Sequence, residues 1–148
     1  VGEVNVVTKM KETNTVIGGE GNGGVIYPES HYGRDALVGV GLFLSHFVAE
    51  GKSMTALKAT YPQYFISKNK LTLSPDMDVD KILEGLKKKY ASEEITDIDG
   101  VKIDFKDGWV HLRKSNTEPI IRIYSESKDE AAANQLAEEV IKVAQSLY

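Results

Sequence analysis

The chain has 148 residues, 41% of them hydrophobic and 27% charged, with a formal net charge of −4 and no cysteine. That is enough for one domain, or two small ones, with packed cores, and it excludes a disordered chain. It also excludes disulfides, thiolate metal sites and cysteine nucleophiles, while the acidic balance argues against a nucleic-acid clamp, which needs a basic surface.

No apolar run approaches a membrane span, and Val1-Gly2-Glu3 lacks the basic-then-apolar pattern of a leader. The expectation is a cytoplasmic protein with no membrane and no nucleic-acid partner, which fits the missing cysteines. The chain begins without a methionine, in mid-pattern, as a piece of a longer protein would. Residues 1–73 are net +1 and residues 74–148 net −5. The composition shifts near Ser74-Pro75-Asp76, which predicts two parts, 1–73 and 74–148.

Val4, Val7 and Met10 at helical spacing predict an opening helix that ends near Glu12. Asn14-Thr15-Val16-Ile17 reads as a short strand, running into a loop, Gly18 to Gly24, with five glycines in seven residues. Val25-Ile26-Tyr27 reads as another strand, stopped by Pro28. A helix is expected from Arg34 to Glu50, apolar almost all round and hence buried on several sides. Gly39 and Gly41 within it each cost about 1 kcal/mol of helix stability, so a close backbone approach is expected there. Ser53 caps a further helix through Thr60, ended by Pro62. Tyr64-Phe65-Ile66 and Leu71-Thr72-Leu73 look extended and serve as a bridge between the halves.

Asp78 is a natural N-cap for a helix carrying Val79, Ile82, Leu83, Leu86 and Tyr90. The period then changes to two. Val101, Ile103 and Phe105 alternate with Lys102 and Asp104, Asp107-Gly108 signals a hairpin, and Val110 and Leu112 share one face of the return strand. Ile120 to Ser125 is a third strand. Ser127-Lys128-Asp129-Glu130 has the form of a capping box, opening a last helix with a stripe of Ala132, Leu136, Val140, Val143 and Leu147. The predicted fold is a partial mixed α/β layer followed by a small antiparallel sheet covered by two helices, an α/β part plus an α+β part.

Two loops could carry chemistry. Arg113-Lys114-Ser115-Asn116-Thr117-Glu118-Pro119 joins two antiparallel strands and offers a guanidinium, an ammonium, two hydroxyls and an amide. Those donors suit an anion, and a tight loop turns backbone N–H groups inward as well. The plain alternative is a polar surface turn. The glycine loop carries Glu20 and Asn22, an acceptor beside a group that both donates and accepts, which suits vicinal sugar hydroxyls. It is neither a Walker A loop nor a dinucleotide fingerprint, and its plain alternative is a flexible connector. Asp76-Met77-Asp78-Val79-Asp80 reads as helix capping rather than a metal loop. His31, His46 and His111 show no metal spacing; His46 is expected at the core or its boundary, and His111 in a structural role on the Arg113 face.

Taken in this order, Gly19-Glu20-Gly21-Asn22-Gly23-Gly24 and Arg113-Lys114-Ser115-Asn116-Thr117-Glu118-Pro119 resemble the sugar loop (G-E-x-S-G-H) and phosphate loop (R-x-S-G/N-T-E/x-P) of the α-D-phosphohexomutases. His31-Tyr32-Gly33-Arg34-Asp35-Ala36 resembles that family's Arg-Asp helix start, and Val1-Gly2-Glu3 its Val-Gly turn. The resemblance covers essentially the whole chain. It implies the end of the third domain (1–73) and the fourth domain (74–148) of an enzyme that interconverts hexose 1-phosphate and hexose 6-phosphate, of glucosamine, mannose or glucose, through a bisphosphate. Glu20 and Asn22 would bind the sugar; Arg113, Ser115, Asn116 and Thr117 would bind the non-transferred phosphate. The nucleophilic phosphoserine and the Mg²⁺ would belong to upstream domains, so no catalytic residue and no metal is expected in this chain. By itself it is expected to be inactive, lacking the N-terminal domains as partners and self-associating through exposed apolar surface. The sequence departs from the family at Asn22 for serine and Gly24 for histidine, and the polar group of the Val-Gly turn has no match, which bears on the sugar epimer. Arg34 and Arg122 are expected in inter-element ion pairs. The alternative is a non-catalytic sugar-phosphate- or anion-binding module.

Overall fold

The computed structural model describes residues 2–74, 77–115 and 117–147. It divides into two compact units, Val1–Pro62 and Gln63–Tyr148. The division falls before the composition shift near residue 74. The reason is that the segment read as a bridge is a full strand, Phe65–Thr72, paired along its whole length within the second unit.

The first unit is built from α1 (Glu3–Thr13), β1 (Gly18–Gly19), β2 (Val25–Tyr27), β3 (His31–Arg34), α2 (Ala36–Glu50) and α3 (Met54–Lys58). Its three strands form a small antiparallel sheet in the order β1-β2-β3. The strand expected at 14–17 does not form. Asn14 closes α1 in the left-handed conformation, Val16 and Ile17 are exposed, and only Gly18 and Gly19 meet β2. β3 takes Arg34, so α2 starts two residues later than expected, with Asp35 as its N-cap accepting from the Leu37 and Val38 N–H groups at 2.9 and 3.0 Å. The Val38 bond first, then the His31 side chain and the Leu37 bond, hold the Asp35 carboxyl below the usual carboxylate range. Gly39 makes the expected close approach: a Cβ there would come within 3.2 Å of Val25 on β2, whereas one at Gly41 would meet nothing.

α2 is not buried on several sides. No described residue of it is buried, and Leu37, Val40, Leu44 and Val48 are at least half exposed, a stripe along one face. The physical reason is the small cover: this unit buries only Met10, Ile26 and Leu57 among its described hydrophobic side chains.

The second unit comprises β4 (Phe65–Thr72), α4 (Val79–Lys89), β5 (Glu94–Thr96), β6 (Val101–Phe105), β7 (Gly108–Lys114), β8 (Ile120–Ser127) and α5 (Glu130–Gln145). Its five strands pair antiparallel in the order β4-β8-β7-β6-β5. One face carries Leu71, Val101, Ile103, Val110, Leu112, Ile121 and Ile123 into a core closed by Val79, Ile82 and Leu86 of α4 and Val140 and Ala144 of α5. Thus the small antiparallel sheet covered by two helices forms as expected. β5, a three-residue edge strand with one acidic and one hydroxyl residue, carried too short a pattern to be read.

Two local expectations are corrected. Ser127 is the last residue of β8, where its Oγ donates to the Asp107 carbonyl at 2.7 Å, so it cannot cap α5; Asp129 does, accepting from Ala132 N–H at 2.8 Å. The buried stripe of α5 is Ala133, Ala137, Val140 and Ala144, rather than the larger Leu136, Val143 and Leu147, which flank it. Small side chains at the contact let the helix lie close to the sheet. Ser125 fastens it there, its buried Oγ donating to the Ala133 carbonyl at 2.7 Å.

Candidate functional site

Because Val110 and Leu112 enter the core, the strand period turns Trp109, His111 and Arg113 onto the face of the sheet opposite α4 and α5. There the Arg113 Nη1 meets the Asp99 Oδ2 at 3.0 Å, both side chains about one-third exposed. His111 Nε2 lies 2.6 Å from the Asp99 carbonyl oxygen. One turn serves both contacts, and Gly100 permits it. Its φ is +80°, and a Cβ would fall 2.2 Å from the Leu112 carbonyl oxygen, so the turn lies flat on β7 only with glycine. Burial pushes the His111 imidazole pKa down, against the opposing pull of the carbonyl bond. The ring is therefore neutral near pH 7 and donates Nε2–H.

That neutral imidazole has a consequence for stability. The unfolded chain protonates this histidine at about pH 6.5, before the folded chain does. The stabilisation is thus full above that pH and is lost as pH falls below it, where the unfolded state binds more protons. Urea midpoints measured from about pH 7 down to about pH 5.5 should fall, and His111→Gln should flatten that part of the slope. An unchanged slope in the variant would assign the pH dependence to other groups.

β7 and β8 are joined by residues 115–119. Ser115 is buried; its N–H donates to the Ile120 carbonyl at 3.0 Å. Its Oγ accepts from Thr117 N–H at 3.4 Å and stands 3.4 Å from Thr117 Oγ1. The loop thus brings Ser115 and Thr117 side by side, with Arg113 two residues back on the face opposite the helices; Asn116 lies outside the described residues. Arg122 is the direct cross-strand partner of Arg113 and shares its face, its Nη2 3.5 Å from Glu118 Oε2. Arg122 thus pairs with the loop four residues before it rather than with another element, the expected partner, and its place beside Arg113 is not legible in the sequence. Asp99 was missed as well, although Asp99-Gly100 is itself a turn signal.

In the first unit, residues 20–24 form the loop of the β1–β2 hairpin. Glu20 N–H donates to the Gly24 carbonyl at 3.1 Å, and Asn22 Oδ1 accepts from Gly24 N–H at 2.9 Å. Asn22 Nδ2 is 3.5 Å from Glu20 Oε2, so the two candidate residues are neighbours. Glu20 Oε1 accepts from the N–H of Gly2, the N-cap of α1, at 2.9 Å, and this bond holds its carboxyl below the usual range. Arg34 forms its expected ion pair with Glu3, Nε to Oε2, at 2.8 Å. The loop is therefore tied to the start of α1 while the Glu20 carboxylate keeps capacity for further donors, since two oxygens offer about four acceptor positions.

The histidines do other work. His31 Nε2 is 3.1 Å from Asp35 Oδ2, and His46, exposed rather than at the core, lies 3.2 Å from the Tyr61 hydroxyl. Asp78 caps α4, accepting from Asp80 and Lys81 N–H groups at 3.1 and 3.2 Å; Asp76 lies outside the described residues. Among the described residues no group of three or more His, Asp or Glu side chains is placed to hold a metal ion, and no helix is long and apolar enough to cross a membrane.

Comparison with known proteins agrees with this division. Residues 1–64 match the phosphoglucomutase/phosphomannomutase alpha/beta/alpha domain III, and residues 70–143 match the phosphoglucomutase/phosphomannomutase C-terminal domain. The chain is 39% identical over 145 residues to a phosphoglucosamine/phosphogalactosamine mutase of Sulfurisphaera tokodaii, covering 97% of this chain and 32% of that protein. It is 41% identical to a phosphoglucomutase/phosphomannomutase of Thermococcus kodakarensis, covering 97% of this chain and 31% of that one. A crystal structure of a phosphoglucomutase/phosphomannomutase family protein from Burkholderia thailandensis superposes with a TM-score of 0.71 at 26% identity, over 98% of this chain and 32% of the other. The chain spans about a third of the length of these relatives. With two family domains matched in order along nearly its whole length, the chain belongs to the phosphoglucomutase/phosphomannomutase family.

Proposed function

We propose that this chain is the substrate-gripping C-terminal part of a phosphohexomutase that interconverts hexose 1-phosphate and hexose 6-phosphate of glucosamine, mannose or glucose. The observation that carries the reading is the loop that sets Ser115 beside Thr117, two residues on from Arg113 at the end of β7, within the residues that match the C-terminal domain. Arg113 spends one donor on Asp99, and a guanidinium has five. The rest can take a phosphate in charge-assisted bonds, while the Ser115 and Thr117 hydroxyls add neutral ones. In this reading the loop holds the phosphate that is not being transferred, and Asn116 belongs to it.

Glu20 and Asn22 hold ring hydroxyls, with Asn22 where the family has serine. Binding energy at such non-reacting groups positions the reacting one, which is how residues remote from the bond being broken raise the rate. The phosphoryl-transfer step belongs to a phosphoserine and a Mg²⁺ ion on other domains. The described residues do not fit a Mg²⁺ site, and no step assigned to this chain runs through the ion. The chain alone is accordingly inactive and binds substrate only. In the isolated chain, the uncovered stripe of α2 is the surface through which copies would associate.

The test is a mutase assay of the full protein that carries this chain, on the 1-phosphates of glucosamine, mannose and glucose. At least one should give the 6-phosphate. Glu20→Ala should then raise KM by roughly 10-fold or more on each substrate used, from the loss of a charged hydrogen bond of about 1.5–3 kcal/mol. Asn22→Ser should reorder the substrates more than it lowers the rate. Inactivity on all three sugars overturns the reading, and normal kinetics in both variants reduces the loop to a connector.

A further inference from the structure

The register of the second sheet sets three cations abreast. Lys70 on β4 is the cross-strand partner of Arg122 on β8, which is in turn the partner of Arg113 on β7. All three point away from the core, since their chain neighbours Leu71, Ile121, Ile123 and Leu112 point into it. Like charges directly opposite one another destabilise a sheet. Asp99 offsets Arg113 and Glu118 offsets Arg122, but Lys70 has no carboxylate within ion-pair distance among the described residues. Lys68, two residues earlier on the same face, is placed differently: its Nζ lies over the Tyr124 ring, 5.8 Å from the centroid.

The row is not an average of its surroundings. Residues 63–148 carry a net charge of −3, yet this row holds one more cation than it has carboxylates. It also lies beside the phosphate loop, because β4 runs on to Leu73, whose N–H donates to the Pro119 carbonyl at 2.9 Å. Adjacent strands are about 4.8 Å apart, so a four-carbon lysine stem on β4 is long enough to carry its ammonium over β8, the strand that separates it from Arg113.

We propose that Lys70 is a second cation of the phosphate site, an ammonium point charge closing on the anion opposite the Arg113 fork. The inference rests on the reading of the 115–119 loop as that site. It gives the uncompensated charge of the row a ligand, and it names a residue on a strand that the loop motif does not include.

The 148-residue chain can be titrated with inorganic phosphate at fixed ionic strength, following backbone amide shifts of Ser115 and Thr117. Lys70→Ala should weaken binding about 5- to 10-fold, the worth of one charged contact at a partly solvated site. Lys70→Arg should keep most of the affinity, and Lys68→Ala should stay within about twofold of the parent if position matters rather than overall charge. An unchanged amide spectrum without ligand checks the fold of each variant. If Lys70→Ala binds as the parent does, or Lys68→Ala weakens binding equally, while Arg113→Ala removes it, the role of Lys70 is overturned and the phosphate loop stands. If phosphate moves neither amide in the parent, the loop reading and the role of Lys70 fall together.

Discussion

Arg113→Ala will lower the affinity for a hexose phosphate by roughly 10- to 100-fold, since a hydrogen bond to a charged group contributes about 1.5–3 kcal/mol. Arg113→Lys will recover only part, because an ammonium keeps the charge and loses the planar fork. Stability will change little. The partner of Arg113 is Asp99, and both side chains are about one-third exposed, so solvent screens the pair and its worth is about 0–1 kcal/mol. Calorimetric titration beside thermal melts separates the two effects. Unchanged affinity with a lowered melting temperature would make Arg113 a structural residue and place the phosphate elsewhere.

The largest effect on stability is expected at Ile123. It is fully buried on β8, the strand flanked by β4 and β7, within the core that α4 and α5 close. Ile123→Ala removes three buried carbons and leaves a space that the sheet backbone cannot collapse to fill, at a cost of about 2–5 kcal/mol. For a unit of this size that lowers the melting temperature by roughly 10 °C or more. The chain's single tryptophan, Trp109, lies on the face opposite the helices, its Nε1–H donating to Glu126 Oε1 at 3.0 Å. Its emission should report the unfolding of this unit. A change under about 1 kcal/mol would mean that the core repacks far more freely than its complete burial implies.

The second unit was the more legible half because its elements bury one face each. Strict alternation at Val101, Ile103, Val110 and Leu112 and the helical spacing of Val79, Ile82 and Leu86 predict the core residues directly. In the first unit the opening helix, β2 and the Ser53 cap form where they are read, but β1 and β3 are too short for a period to register, and the apolar α2 is exposed where its composition predicts burial. At the candidate sites, residue types and loop spacing bring forward Glu20, Asn22, Arg113, Ser115 and Thr117. Their neighbours were not legible, since Asp99 reaches Arg113 only through a glycine turn, and Arg122 and Lys70 share its row only through pairing of β8 with both neighbours. Such placement depends on register, which a linear pattern does not carry.

The exposed stripe of α2 lies on the side of the helix opposite its seat on the sheet. α2 packs on β2 where Gly39 meets Val25, and β2 carries one end of the Glu20–Gly24 loop. The same helix therefore has two duties: its Gly39 side seats the strand that carries the loop, and its Leu37, Val40, Leu44 and Val48 side leaves apolar surface in water. Polar substitutions on the bare side should leave the loop's seat intact.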